Sequence, residues 1–318
     1  MSISVNNISF SLVKEIIKRQ DLFQIKVEKS EEGTTIIDTG IRAKGGYLAG
    51  KYVTEICMGG LGTVSFNSVS YVDLQLPTIV VTTDFPKIAL IGSQLAGWHI
   101  NVGKYSAMGS GPARALSLKP KSLFDKIGYK DTSDIAILVL ETSKKPGKEV
   151  IEYISKECNI NPENLFIFLT PTSSLTGFTQ ISGRVVESGL HKLMEVGLDP
   201  KNVLSGYGYA PIAPVHPKLK NAMGRTNDMI LYGGVTWFNI SWEDDESLRE
   251  IIKQVPSSTS KDYGKPFREI FKEANYNFYN IDPALFAPAV IMVNNVKTGS
   301  FIKAGNVNVD LIKQSITS

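Results

Sequence analysis

Apolar residues recur along this chain at the spacings of helices and of strands in alternation. Between residues 180 and 196 they stand at i, i+4, i+7 and i+8 from Val186, which predicts an amphipathic helix. Thr179 is its predicted N-cap and Gly197 its predicted C-cap. Residues 135–140 form a fully apolar run, which predicts a strand.

The same patterns place the remaining elements. Helices are predicted over residues 8–20, 47–58, 85–96, 120–127, 149–158, 222–231, 246–254 and 265–273. Strands are predicted over residues 22–28, 34–39, 63–72, 78–83, 98–102, 165–169, 203–209, 236–240 and 289–294. Two prolines in residues 205–214 predict a loop at the end of the strand before it. The mixed order predicts an α/β fold.

The chain is long enough for two domains, and its halves echo each other. Its 318 residues exceed the usual size of a single core. The spacing of Gly45 and Gly59 matches that of Gly183 and Gly197, 138 residues further on. We expect two similar α/β lobes, residues 1–143 and 144–318, with an inter-lobe cleft and an origin in internal duplication. Strands that cross between the lobes would blur this boundary, and chance similarity of α/β order is the alternative.

Composition narrows the class of protein. Hydrophobic residues make up 42% and charged residues 20% of the chain, which is ordinary for a globular protein. The net charge is +3, and no run of Lys and Arg of the nucleic-acid-binding type occurs. The two cysteines lack metal-site spacing, and no stretch of 18 apolar residues occurs. The N-terminus lacks a basic and apolar leader, so we expect a cytoplasmic protein that binds neither membrane nor nucleic acid.

Arg184 and Glu187 are the first candidates for chemistry. They lie on the polar side of the predicted helix at 180–196, together with His191. Gly183 and Gly189 stand inside the same helix, where each costs about 1 kcal/mol relative to Ala. One interpretation is that a ligand approaches the backbone here. The other is a solvated, salt-bridged helix whose glycines serve packing.

The segment Gly109-Ser-Gly-Pro-Ala-Arg114 resembles a phosphate-binding loop but fails the dinucleotide rule, because Arg114 occupies the third glycine position. Its backbone amides and the guanidinium of Arg114 suit an oxyanion. A tight turn between the lobes is the alternative.

Arg225, Asn227 and Asp228 share one turn and suit an anion and the amide edge of a heterocycle. A helix N-cap with a local salt bridge is the alternative. The three histidines are scattered, and neither a nucleophile elbow nor a His-x-x-x-His pair occurs, so a catalytic triad and a metal are not expected. Catalysis would then depend on carboxylate, guanidinium and water.

Four blocks of the chain together resemble the methenyltetrahydromethanopterin cyclohydrolase family. They are Gly97–Leu116, Ile181-Ser-Gly-Arg-Val-Val-Glu-Ser-Gly189, Gly206-Tyr-Gly-Tyr-Ala-Pro-Ile-Ala-Pro-Val215 and Ala222–Gly234, in this order. The resemblance runs over nearly the whole chain. It implies reversible hydrolysis of 5,10-methenyltetrahydromethanopterin to the 5-formyl derivative in the one-carbon metabolism of archaea, including methanogenesis, and of some methylotrophic bacteria.

The resemblance also implies a homotrimer with the pterin between two α/β domains, and neither a metal nor a cofactor. It implies that Arg184 and Glu187 match the family's water-positioning pair. From the chemistry of the reaction we hypothesise that Glu187 is the base and that Arg184 keeps it ionised. The residues expected to bind the substrate are Gln94, Gly109, Ser110, Gly111, Arg114, Tyr209, Arg225 and Asp228. The alternatives are a non-catalytic trimeric pterin-binding or scaffold protein and a phosphate-binding transferase.

Overall fold

The computed structural model describes residues 3–317, and these form two compact units. Unit 1 contains the chain up to Thr63 and Lys87–Gln180; unit 2 contains Val64–Pro86 and the chain from Ile181 onward. This division differs from the single boundary predicted at residue 143, since residues 64–86 belong to unit 2 and residues 144–180 to unit 1.

Most of the predicted elements are present, whereas the strands Tyr105–Ser110 and Phe301–Gly305 and the helix Val309–Thr317 were not predicted. The strands are β1 (Lys26–Lys29), β2 (Thr35–Asp38), β3 (Thr63–Tyr71), β4 (Leu74–Thr83), β5 (Trp98–Val102), β6 (Tyr105–Ser110), β7 (Ala136–Glu141), β8 (Leu165–Leu169), β9 (Val203–Pro211), β10 (Val235–Ile240), β11 (Val290–Asn295) and β12 (Phe301–Gly305). The helices are α1 (Val5–Lys18), α2 (Gln20–Phe23), α3 (Tyr47–Cys57), α4 (Ala113–Ser117), α5 (Lys121–Ile127), α6 (Lys148–Cys158), α7 (Leu175–Ser182), α8 (Val185–Glu195), α9 (Leu219–Gly233), α10 (Asp245–Lys253), α11 (Phe267–Glu273) and α12 (Val309–Thr317). A π-helix spans Lys87–Gln94.

Unit 1 is built on a six-stranded mixed sheet of order β1-β2-β8-β7-β6-β5. Strands β2, β8 and β7 run parallel, and the outer strands pair antiparallel. Side chains of β7 alternate between two apolar clusters: Ile137 packs in the cluster with residues of α1 and α3, and Leu138 in the cluster with residues of α6. Both faces of the sheet are therefore covered, which explains why β7 is apolar from Ala136 to Leu140.

Unit 2 is built on a second six-stranded sheet, of order β12-β11-β10-β9-β4-β3. Strands β10 and β11 run parallel, and β9 pairs antiparallel with both β10 and β4. Both sheets share a run in which a parallel pair is followed by two antiparallel neighbours: β8-β7-β6-β5 in unit 1 and β11-β10-β9-β4 in unit 2. The prediction of two similar α/β lobes is thus confirmed.

Three local predictions were wrong. The loop predicted over residues 205–214 is strand β9 as far as Pro211, and a proline is tolerated there because it is the last residue of the strand. The strand predicted over residues 22–28 begins only at Lys26, after the short helix α2. The helix predicted over residues 180–196 is two helices, and Thr179 lies inside the first, donating to the carbonyl of Leu175.

The helix end predicted at Gly197 is confirmed, with Val196 as the C-cap residue and Gly197 directly after it. Gly197 has a φ of +100°, and its N–H donates to the carbonyl of Met194. The N–H of Leu198 donates to the carbonyl of Leu193, which completes a Schellman motif.

Candidate active site

The predicted catalytic pair lies where helix α7 ends and α8 begins. The chain leaves helical geometry at Gly183 and Arg184, and the N–H of Arg184 donates to the carbonyl of Ile181 at 2.9 Å in a tight turn. Arg184 is the N-cap residue of α8, and Glu187 lies in the first turn of that helix. The positive end of the helix dipole favours a carboxylate at such a position.

Arg184 and Glu187 face each other largely out of contact with solvent. Nη1 of Arg184 lies 4.0 Å from Oε2 of Glu187, and the two side chains keep only 11% and 8% of their solvent exposure. Charges interact more strongly in such surroundings than on a surface, because less water screens them. The interpretation of this pair as part of a solvated, salt-bridged surface is therefore wrong.

The glycine inside helix α8 serves packing. A Cβ on Gly189 would lie 3.1 Å from both Phe238 Cε2 and Thr236 Cγ2, two side chains of strand β10. The absence of a side chain thus lets α8 approach the sheet of unit 2. The interpretation that the helix glycines serve packing is therefore confirmed for Gly189.

The rest of the polar side of α8 forms a second group, in which His191 and Glu195 are about a third exposed and Lys192 is buried. Glu195 lies 3.8 Å from His191 Nδ1 and 3.7 Å from Lys192 Nζ, and about a third of the Glu195 side chain is exposed. Ser188 donates its hydroxyl to the carbonyl of Arg184 at 3.0 Å. His191 therefore pairs with Glu195, one turn beyond the candidate catalytic pair.

Arg114 is completely buried in unit 1, and its guanidinium is engaged by the protein itself. Nε donates to the carbonyl of Lys119 at 2.8 Å, and Nη1 donates to the carbonyls of Ile91 and Ser93, each at 3.1 Å. The guanidinium also lies over the ring of Phe124. Three backbone acceptors around a guanidinium with no exposure favour a structural role for Arg114 over an anion-binding one.

The other predicted ligands in unit 1 lie close to Arg114. Gln94 ends the π-helix and is fully buried, and Ser110 ends β6 with its Oγ 3.6 Å from Cys57 Sγ. Gly111 adopts a φ of +102° and donates its N–H to the carbonyl of Ser93. Gly109 lies within β6, paired with Trp98 and Leu140. The segment 109–114 is thus a strand end followed by a tight turn into α4.

Asp228 is 1% exposed and joins three helices of unit 2. Its carboxylate accepts the N–H of Phe267, at the start of α11, at 2.8 Å and the hydroxyl of Ser315, on α12, at 2.6 Å. Burial raises the pKa of Asp228 to about 7, although both hydrogen bonds oppose the rise. These contacts give Asp228 a structural role.

Arg225 lies in the middle of α9 and donates to two backbone carbonyls, those of Pro214 and Ile316, at 3.0 and 2.9 Å. Burial lowers the pKa of Arg225. The hollow beside Arg225 and Asp228 measures about 10 Å³, room for about one water and not for a pterin. Since α9 begins at Leu219, the N-cap interpretation of this turn was wrong.

Tyr209 is the one predicted ligand on β9. It packs against the buried side chains of Val235 and Val290, and burial raises the pKa of its hydroxyl. The structure therefore places the predicted ligands in two groups, one in each unit, while Arg184 and Glu187 form the candidate active site of unit 2.

Sequence reasoning missed a set of polar side chains at the carboxyl ends of the parallel strands of unit 1. Asp38 ends β2, and its two oxygens accept four backbone N–H groups, those of residues 40–43. Burial acts to raise the pKa of Asp38, but these four donors outweigh it and hold the pKa below its ordinary value. Glu141 ends β7 and accepts the hydroxyl of Thr172. An acidic residue directly after a β-branched run was the signal that could have identified Asp38.

Residues 3–317 contain neither a cluster of metal-binding side chains nor a helix that could span a membrane. Within this range, no group of three or more His, Cys, Asp and Glu side chains lies close enough together to hold a metal ion. No helix in the same range has both the length and the apolar character needed to cross a bilayer.

The fold and the site define an α/β protein with a buried guanidinium–carboxylate pair, suited to moving a proton to or from water. Comparison with known families identifies the family to which this protein belongs. The model of the Cyclohydrolase (MCH) family matches residues 4–316, and the chain belongs to this family.

Relatives match over nearly the whole chain. The methenyltetrahydromethanopterin cyclohydrolase of Methanocaldococcus jannaschii is 46% identical over 317 residues, 99% of this chain and 98% of that protein. The enzyme of the same name from Methanococcoides burtonii is 44% identical over 313 residues, 98% of each chain. That from Methanothermobacter marburgensis is 44% identical over 316 residues, 98% of this chain and 99% of that protein.

Proposed function

We propose that this protein is a cyclohydrolase that reversibly hydrolyses 5,10-methenyltetrahydromethanopterin to 5-formyltetrahydromethanopterin in one-carbon metabolism. Membership of the Cyclohydrolase (MCH) family over residues 4–316 supports the reaction class, and the names of the relatives support the substrate. The observation that carries the proposal is the buried Arg184–Glu187 pair at the start of α8.

The reaction requires little from the protein beyond an oriented water and a base. The bridging carbon of the substrate is an amidinium carbon, which already carries positive charge and is electrophilic. Water forms a C–O bond to this carbon and gives one proton to Glu187. The C–N bond to one of the two nitrogens then breaks, that nitrogen takes the electron pair and the proton of the new hydroxyl group, and the formyl group stays on the other nitrogen. One proton is released overall, so general base catalysis and positioning account for the step.

The geometry of the pair suits this role. A direct charge-assisted hydrogen bond would bring the two atoms to about 2.8 Å, whereas Arg184 Nη1 and Glu187 Oε2 lie 4.0 Å apart. At such a separation a water can bridge two polar groups. Glu187 would accept a proton from this water and Arg184 would donate to its oxygen. The positive charge of Arg184 also balances the carboxylate, so the pair presents little net charge to the cationic substrate.

Replacement of Glu187 by Gln tests the assignment. Glu187→Gln keeps the shape of the side chain and removes the base, so we expect turnover to fall by about 10²–10⁴-fold. Hydrolysis is followed as the loss of the near-UV absorbance of the methenyl compound. Glu195→Gln is the matched control, because Glu195 is on the same helix but pairs with His191 and Lys192.

Two results would contradict the proposal in different ways. Unchanged turnover in Glu187→Gln would dismiss Glu187 as the base and leave the reaction in place. A wild-type protein that binds the methenyl compound without changing its absorbance would be a pterin-binding or scaffold protein and not an enzyme.

The proposal extends to the assembly and the setting. We propose that the protein works in the cytoplasm as a homotrimer without a metal or a cofactor, as the family resemblance implies. Light scattering on the purified protein measures the assembly directly, and a mass other than three chains would overturn this part.

A further inference from the structure

Strand β9 lies directly beneath the break that carries the catalytic pair. Ser182, the last residue of α7, is 1% exposed and donates its hydroxyl to the carbonyl of Pro211 at 2.8 Å. Pro211 is the last residue of β9. A hydrogen bond therefore ties the chain to the end of this strand two residues before Arg184.

A second contact ties the chain to β9 two residues after Arg184. Val186 is fully buried, and its side chain lies over two glycines of β9. A Cβ on Gly206 would lie 2.8 Å from Val186 Cγ1, and a Cβ on Gly208 would lie 2.9 Å from Val186 Cγ2. Because real Cβ atoms do not approach this closely, Gly206 and Gly208 form a glycine notch that admits the valine.

These two contacts restrain the segment on both sides of Arg184 and directly before Glu187. Successive side chains of a helix point about 100° apart, so the depth of Val186 against the sheet fixes where the next side chain points. The hydroxyl of Ser182 fixes the other end of the break. With both ends held by one strand, the separation of Arg184 and Glu187 has little freedom to change.

We propose that β9 is the template that sets the geometry of the catalytic pair, and that Ser182 and the glycine notch are positioning residues for the cyclohydrolase reaction. This inference rests on the proposed function. Neither Ser182 nor the glycines need touch the substrate; each acts through the placement of Arg184 and Glu187. A misplacement of about 1 Å can lower the rate of an enzyme by about 10²-fold.

The first test removes the hydroxyl of Ser182. We expect Ser182→Ala to lower kcat by about 10- to 100-fold with KM changed less than about twofold, because the pair acts on the chemical step. Ser182→Thr retains a hydroxyl and should keep kcat within about threefold of wild type. Ser257→Ala is the matched control: Ser257 is also fully buried in unit 2 and donates to a backbone carbonyl, that of Leu231. It should lower thermal stability without lowering kcat.

The second test fills the glycine notch. Gly206→Ala places a methyl against side chains, Val186 and Phe238, so α8 can yield by moving away from the sheet. We expect kcat to fall by about 10- to 100-fold. The double variant Gly206→Ala with Val186→Ala makes room for the new methyl and should recover most of the loss. Gly147→Ala is the control, because nothing lies within 4 Å of its added Cβ.

Crystal structures of Ser182→Ala and Gly206→Ala supply a readout that does not depend on turnover. The inference predicts that the Arg184–Glu187 pair shifts relative to β9 in both variants. An unshifted pair would overturn it, as would wild-type kcat in both variants or an equal loss of kcat in Ser257→Ala. An inactive wild type whose pair shifts in the variants would instead reject the proposed function and leave the template in place.

Discussion

Asp228 offers the sharpest test of the energetics of unit 2. The change is Asp228→Asn, which removes the ionisable group and preserves the shape of the side chain. The amide oxygen of Asn can still accept the N–H of Phe267, and its amide nitrogen can donate to the hydroxyl of Ser315. The variant therefore removes the charge at this position, retains the hydrogen bond from Phe267 and reverses the direction of the one with Ser315.

The expected magnitude follows from the pKa. Burial raises the pKa of Asp228 from 3.8 to about 7, and the negative charge of Glu269 adds to the rise. Between about pH 4 and pH 7 the folded protein retains a proton that the unfolded chain has lost, so the free energy of unfolding falls as pH rises and levels off above pH 7. A shift of about 3 pKa units corresponds to about 4 kcal/mol. Asn has no such ionisation, so the variant should gain up to about 4 kcal/mol on wild type at pH 8 and almost nothing at pH 4.

Urea unfolding at several pH values measures this difference. In a Trp98→Phe background the remaining two tryptophans, Trp237 and Trp242, both lie in unit 2 and report on the unit that contains Asp228. Asp125→Asn is the control, because Asp125 is 61% exposed in a surface pair and should leave the pH dependence unchanged. If Asp228→Asn were less stable than wild type at pH 8, the carboxylate would be stabilised as an anion and this reasoning would be refuted.

Two further predictions concern unit 1 and the chemistry. Arg114→Met should lower thermal stability, because the carbonyls of Lys119, Ile91 and Ser93 lose their donor. The KM for the methenyl compound should stay within about twofold of wild type. A large rise in KM without loss of stability would restore the anion-binding role of Arg114. Dialysis against a chelator should leave turnover unchanged, because an amidinium carbon needs no Lewis acid; restoration of lost activity by one added metal would contradict this.

Most elements could be predicted from the sequence because their signals are local. Strand β7 is apolar at consecutive positions because both faces of its sheet are covered, and this pattern is visible without knowing its neighbours. Gly197 was identified as a helix end because a left-handed residue at C′ favours glycine wherever it occurs. In both cases the local sequence was sufficient for the prediction.

The break between α7 and α8 and the strand β9 could not be predicted in this way. The apolar spacing that predicted the helix starts at Val186, after the break at Gly183 and Arg184, so it does not show where the chain bends. Gly206 and Gly208 favoured a loop prediction, because nothing in the neighbouring sequence shows why a strand would need glycine at these positions. Their purpose is to admit Val186, which lies 20 residues earlier in the chain than Gly206. Contacts between distant segments, and not local propensity, determine the structure at the break and in β9.

The same limit applies to the predicted site residues, whose chemistry is visible in the sequence and whose contacts are not. Arg114, Arg225 and Asp228 have the chemistry to bind an anion or a heterocycle, but the sequence does not show whether a polar group finds its partner inside the protein. Each of these side chains is engaged by backbone or hydroxyl groups of its own unit. Arg184 and Glu187 were predicted from the resemblance and from their spacing, and their burial is a property that spacing alone could not give.

The placement of Glu187 suits the role of base that we propose for it. Burial alone disfavours the charged form of a carboxylate, and a neutral Glu187 could not take a proton from water. Two features of the chain oppose that effect: the first turn of α8, where the helix dipole favours negative charge, and the guanidinium of Arg184. The first of these depends on the helix starting at Val185. A helix continuous from α7 would place Glu187 in a helix interior, away from any helix N-terminus, and the dipole would no longer favour the charged base.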